Sequence, residues 1–178
     1  MRRLFLLAGA IVLVDTMFFA ALTPLLPSYR EELGLSKAGA GVLAAAYPAG
    51  VLVAGLPSGF AVTRLGVKPT VVAGLALMVT ATLAFGFGSS IVVLDVARFV
   101  QGLASALAWT ASLSWLTSSA PAARRGELIG SALAAAIVGA LLGPVIGAVA
   151  ALAGTRWTFG GIALLMLGLA FWAGATPA

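Results

Sequence analysis

An aspartate stands in the middle of the apolar run LFLLAGAIVLVDTMFFAALTPLLP, residues 4–27. An ionised carboxylate at the centre of a bilayer costs about 2.5–3.5 kcal/mol even on a lenient insertion scale, so Asp15 must point away from lipid. Desolvation favours the protonated acid and a neighbouring cation favours the carboxylate. A group under those two influences can exchange a proton for a cationic ligand. The competing reading is a carboxylate tied by hydrogen bonds to a neighbouring helix. A second polar set lies in LDVARFVQGLASALAWTASLSWL. At 100° per residue Arg98, Gln101, Ser105, Trp109 and Ser112 fall within about 80° of one another, a polar stripe on an apolar helix. Such a stripe either walls an aqueous cavity, with Arg98 adjusting the protonation of a nearby acid, or Arg98 merely pairs with Asp95 three residues away. The face of the first helix around Asp15 carries Ile11, Phe18, Phe19, Leu22 and Leu26, a lining suited to a lipophilic cation through apolar contact and cation–π attraction.

Composition removes most other chemistry. Of 178 residues 62% are hydrophobic and 8% charged, and neither Cys nor His occurs. The mean hydropathy is +1.15. Disulfide frameworks, thiolate metal sites, Ser–His or Cys–His nucleophiles and HExxH centres are therefore excluded, and nothing asks for a metal or a cofactor. The net charge of +5 reads as membrane topology rather than nucleic-acid binding.

The elements that must position these residues are helices. Long continuous apolar runs exclude a barrel of short alternating strands, and about 20 residues are needed to cross roughly 30 Å of hydrocarbon. Charge, Gly and Pro divide residues 1–178 into six such segments near 4–26, 38–61, 69–88, 91–117, 128–153 and 157–175, one integral-membrane domain. With the N-terminus cytoplasmic, Arg2, Arg3, Arg64, Lys68, Arg124 and Arg125 fall inside, against Arg30, Lys37 and Arg156 outside. Both termini then face the cytoplasm of a plasma (inner) membrane protein. Trp115 and Trp172 would sit at the inner headgroup belt and Tyr29 and Trp157 at the outer one, whereas Trp109 is too deep. The paired arginines of MRRLFLLAGA also suit an export signal, but Asp15 interrupts its apolar region and no cleavage site follows.

The fifth segment carries Ser131, Ala135, Gly139, Gly143, Gly147 and Ala151 at every fourth position, a tape that lets backbones approach, and Pro144 should bend it. Between the second and third segments, GFAVTRLGVKP makes a short basic turn, with Gly66 at the reversal and Pro69 opening the next helix.

That turn resembles the signature of the major facilitator superfamily, G-x-x-x-D-R-x-G-R-K, through Gly59, Arg64, Gly66 and Lys68, with Thr63 in place of the Asp and Val67 in place of a base. ARFVQGLASA is similar to the family's R-x-x-Q-G motif through Arg98, Gln101 and Gly102. GALLGPVIGA resembles G-x-x-x-G-P-x-x-G-G of proton-coupled exporters through Gly139, Gly143, Pro144 and Gly147, with Ala148 replacing the last Gly. VDTMFFAALTPLLP looks like the first helix of drug/proton and vesicular amine antiporters. The resemblance covers the whole chain but half of the usual family protein. It implies an all-α integral membrane fold, six transmembrane helices arranged as two inverted three-helix repeats. It also implies gating at the basic turn, a fifth helix that seals one side of the pathway, and a site on the repeat-related first and fourth helices, which carry Asp15 and Arg98.

The expected function is secondary active transport: proton-coupled export of small organic compounds, lipophilic cations among them, as in multidrug efflux antiporters. Its partners would be substrate, protons, lipid and a second six-helix half, supplied by a longer parent chain or a second copy. The alternative is a membrane module that captures a small molecule for a separate ATP-driven complex. GxSG, HExxH and GxxxxGK[ST] are absent, so an enzyme is not expected.

Overall fold

A computed structural model describes residues 2–177. The chain is all helical: α1 (Arg2–Ala20), a short 3-10 turn (Thr23–Leu25), α2 (Leu26–Glu32), α3 (Lys37–Leu65), α4 (Val67–Phe87), α5 (Ile91–Ser118), a second 3-10 turn (Ala122–Arg124), α6 (Arg125–Ala153) and α7 (Thr155–Ala175). Among the described residues six stretches are long and apolar enough to cross a membrane, the first made of α1, the 3-10 turn and α2 together.

Local sequence explains the boundaries. Ser36 caps α3 by accepting from the Gly39 N–H at 3.0 Å, and Ser90 does the same for α5 with Val93. Gly66, at φ +91°, is the sole residue between α3 and α4, and Gly154, at φ +96°, separates α6 from α7 in the same way. A side chain would be strained at either φ, so glycine permits both one-residue reversals. The first segment is not one helix to residue 26. Pro24 and Pro27 lack the N–H groups that would bond back to Ala20 and Thr23, and the chain passes through the 3-10 turn before α2 begins. Pro48, Pro57 and Pro144, by contrast, lie inside α3 and α6 without ending either helix.

Glycine sets the helix packing. A Cβ on Gly139 would meet the Leu13 carbonyl and the Thr16 hydroxyl, one on Gly143 the Ala20 side chain, and one on Gly147 the Ala21 carbonyl, so the tape of α6 lies directly on the α1 backbone. Gly50 of α3 and Gly102 of α5 meet in the same manner, with the Phe99 and Tyr47 carbonyls where side chains would otherwise be. The second helix of each three-helix unit thus rests on the first helix of the other unit, α3 on α5 and α6 on α1, the arrangement of two inverted repeats. Helix α4 is clamped between α5, where Gly74 abuts Ala104 and Ala108, and α7, where Gly86 abuts Phe159.

Toward the Tyr29 end, Phe18, Phe85, Phe159 and Tyr29 form an edge-to-face cluster with centroid separations of 5.2–6.4 Å. Tyr29, in this cluster, and Trp115, near the far end of α5, are both buried where headgroup-belt positions were expected, whereas Trp157 is 84% exposed. The outward faces of α3 and α6 are apolar and bare, with Leu56 and Leu152 each 90% exposed.

These contacts make a sharp contrast testable by thermal denaturation in detergent. Gly50→Ala and Gly143→Leu should each lower stability by about 1–3 kcal/mol or prevent folding, because backbone or a packed Cβ must move. Gly55→Ala, in the same helix as Gly50 and with nothing within 4 Å of its new methyl, should not lower the melting temperature.

Candidate functional site

Helices α1, α3 and α5 converge on Asp15. Its Oδ1 accepts from the Tyr47 hydroxyl at 2.9 Å, and its Oδ2 accepts from the Ser105 hydroxyl at 2.8 Å and the Trp109 indole N–H at 2.7 Å. All three partners donate to the carboxylate, an arrangement that suits its ionised form, and the two hydroxyls, unlike the indole, can also accept. The sequence pattern placed Ser105 and Trp109 on one helical face, and both reach the acid because one turn separates them along α5. Asp15 is 5% exposed and lies against an open cleft of about 580 Å3.

The remaining cleft lining comes from Thr16 and Phe19 of α1, Pro48, Val51, Leu52 and Gly55 of α3, and Ala106 and Thr110 of α5. Its walls are almost wholly apolar. Phe19 and Tyr47 pack at a tilt with 4.9 Å between centroids, and these two rings and Trp109 line the cleft with the carboxylate. A volume of this size holds a small organic molecule, and one acid amid aromatic walls favours a ligand with an apolar body and a positive end.

Phe18 is not part of this lining. It is fully buried in the edge-to-face cluster because residues 18 and 19 are 100° apart on α1, and only Phe19 projects toward α3. Ile11 and Leu22 are also in the core.

Arg98 and Gln101 form a buried layer behind the cleft instead of a wall of it. The Arg98 guanidinium is 1% exposed and donates to Gln101 Oε1 at 3.2 Å and to the Phe19 carbonyl at 3.4 Å. Gln101 passes the chain on, its Nε2 donating to the Ala81 carbonyl of α4 at 3.3 Å. Four rings surround the cation: Tyr47 at 4.8 Å, Phe18 at 5.5 Å, Phe85 at 5.7 Å and Phe19 at 5.9 Å from the guanidinium carbon. Spacing along α5 suggested an Arg98–Asp95 pair, and the structure has none. The guanidinium turns into the aromatic box, and Asp95 Oδ1 is left buried without a partner. The one ion pair among the described residues is Arg124 with Glu127 at 3.0 Å, on the exposed start of α6. Ser112, the last member of the stripe, is buried with its hydroxyl unpartnered.

Tyr47 was not singled out from the sequence, yet it touches both charged groups. The available signal was a phenol ten residues into a membrane span, where its O–H must find a partner, directly before Pro48. At the basic turn, Arg64 lies over the Phe60 ring at 4.8 Å, Thr63 donates to the Phe60 carbonyl at 2.9 Å, and Gly59 faces open space. Lys68 is half-buried at the start of α4.

A family model, that of the Major Facilitator Superfamily, matches residues 7–177. The chain belongs to the Major Facilitator Superfamily. Similar members include the MFS-type transporter ppzB of Metarhizium rileyi, 32% identical over 125 residues, which amount to 67% of this chain and 26% of that protein. Another is the probable vesicular acetylcholine transporter-B of Danio rerio, 32% identical over 143 residues, 75% of this chain and 29% of that one. A crystal structure of a D-xylose-proton symporter superposes with a TM-score of 0.82 at 20% identity, over 98% of this chain and 48% of the symporter. The chain therefore spans less than a third of those two curated relatives and about half of a major facilitator fold.

The Arg98 environment predicts an asymmetry that thermal denaturation can check. Arg98→Ala leaves the Gln101 and Phe19 acceptors buried without a donor and should cost about 1–3 kcal/mol. Asp95→Asn, which removes no ion pair and neutralises a buried, unpartnered carboxylate oxygen, should not lower stability.

Proposed function

We propose that this chain forms the N-terminal half of a proton-coupled exporter of small organic cations, with Asp15 as the group that carries the proton. The observation that carries the reading is the position of this acid: midway along the first span, at the floor of an open, apolar and aromatic cleft. An ionised Asp15 attracts a cation whose apolar body contacts Phe19, Tyr47, Val51 and Trp109. Protonation removes the charge that holds the cation and frees it to leave. Export driven by a proton gradient follows if the two events occur with the cleft open to opposite sides, as rocking of two halves allows.

Three further features agree with this reading. The relative from Danio rerio is named a probable vesicular acetylcholine transporter, and acetylcholine is a cation with an apolar portion, which supports this reading. The Gly139, Gly143, Pro144 and Gly147 face of α6 lies on α1 at the level of Asp15 and beyond, where it can seal one side of the pathway. Six cations, Arg2, Arg3, Arg64, Lys68, Arg124 and Arg125, gather at the end of the bundle that holds the α1 N-terminus, the α3–α4 turn and the α5–α6 connection, which we assign to the cytoplasm. The second wall of the cleft is assigned to another six-helix half, in a longer parent chain or in a second copy. The bare apolar faces of α3 and α6 suit such a neighbour as well as they suit lipid.

The test is uptake of a lipophilic cation such as tetraphenylphosphonium into inverted membrane vesicles energised by an imposed pH gradient. Asp15→Asn should abolish gradient-driven uptake while expression and membrane insertion stay at wild-type levels. Undiminished uptake in that variant would refute the assignment.

A further inference from the structure

The two oxygens of Asp15 are not equivalent, and their partners differ in what they can do. Oδ2 faces Ser105 and Trp109, and the indole N–H can only donate. A proton on Oδ2 could be accepted only by a reversed Ser105 hydroxyl, and it would compete there with the Trp109 N–H, which has no lone pair to offer. Oδ1 faces one partner, the Tyr47 hydroxyl, which donates in the ionised state and can accept after its O–H turns. Asp15, Tyr47, Ser105 and Trp109 all line the cleft, so a proton arriving there can reach either oxygen and the partners decide between them. The charged and titratable groups around this acid are few. From α3 there is Tyr47 itself, from α5 there is Arg98 behind the Tyr47 ring, and the other residues lining the cleft carry no titratable side chain.

We propose that Oδ1 is the oxygen that takes and releases the proton, and that Tyr47 is its positioning residue, reversing from hydrogen-bond donor to acceptor as the proton comes on. This rests on the reading of Asp15 as the proton carrier. Trp109 and Ser105 meanwhile hold Oδ2 in both states, so the carboxyl plane stays fixed while the proton comes and goes. The guanidinium at 4.8 Å from the Tyr47 ring draws electron density from the phenol and strengthens it as a donor to the carboxylate. Arg98 thereby acts on Asp15 through a ring instead of through a direct ion pair, which would hold the acid ionised. No bond other than O–H is made or broken: the proton comes from cleft water, binds one lone pair of Oδ1, and returns the same way.

Infrared difference spectroscopy of the purified chain reconstituted in lipid, acid minus neutral pH, reads this directly. A carboxylic C=O band lost in Asp15→Asn identifies the protonated acid. With the proton on Oδ1 the carbonyl is Oδ2, bonded to Trp109 and Ser105. Trp109→Phe should then move the band to higher wavenumber and the Trp109→Phe, Ser105→Ala double variant should move it further. Tyr47→Phe should shift it far less than Trp109→Phe does. The reverse order, with Tyr47→Phe giving the larger shift, puts the proton on Oδ2 and overturns the assignment while leaving Asp15 a proton carrier. Absence of any band lost in Asp15→Asn overturns both. The readout does not depend on transport, so a variant that folds but does not pump is still informative.

Discussion

A carboxylate held in hydrocarbon needs a set of hydrogen-bond donors that stays in place, and the rest of this molecule is arranged around supplying them to Asp15. No single helix can do so. Tyr47 comes from α3, Ser105 and Trp109 from α5, and the acid itself from α1. Lateral displacement of any of these helices by an ångström or two would turn hydrogen bonds of 2.7–2.9 Å into a charge without solvation. The geometry of the site is therefore a statement about how closely the three helices pass one another.

That closeness comes from glycine. Gly50 against Gly102 brings α3 and α5 into backbone contact about one turn from Tyr47, and Gly139, Gly143 and Gly147 press α6 on the far side of α1. The same crossings relate the two three-helix units, so the architecture that implies alternating access also fixes the donors. Behind them, Arg98 is kept without a carboxylate by an aromatic box and by bonds to Gln101 and the end of α1. Its charge is dispersed over ring faces and a backbone dipole, and it makes no ion pair with Asp15.

Much of this was legible from residue order because helical period is a local property. Asp15 in an apolar run, the Ser105–Trp109 face and the small-residue tape of α6 all follow from 100° steps along one helix. What crosses between helices was not. Tyr47 reads as an isolated phenol until α3 is laid on α5 and its hydroxyl meets Asp15 of α1, and Gly50 reads as a loose residue until Gly102 is found opposite it. Asp95 and Arg98 sit at a spacing that favours an ion pair, yet tertiary packing turns the guanidinium toward four rings and two acceptors and leaves both Arg98 Nε and Asp95 Oδ1 buried without partners. The break after Ala20 was hidden for a different reason. Apolar composition continues through Pro24 and Pro27, so hydropathy alone extends one helix across a turn that the missing N–H groups create. Membership in the family was legible from four motif stretches, all of which lie within the residues 7–177 that the family model matches.

The central claim is that proton and cation compete for one carboxylate. The most direct measurement is the number of protons released when tetraphenylphosphonium binds the purified protein, from calorimetric titrations in two buffers of different ionisation enthalpy near the midpoint of Asp15 titration. The account predicts measurable proton release in the wild type and none in Asp15→Asn. Cation binding with no proton released from the wild type, across the whole pH range in which it binds, would contradict it.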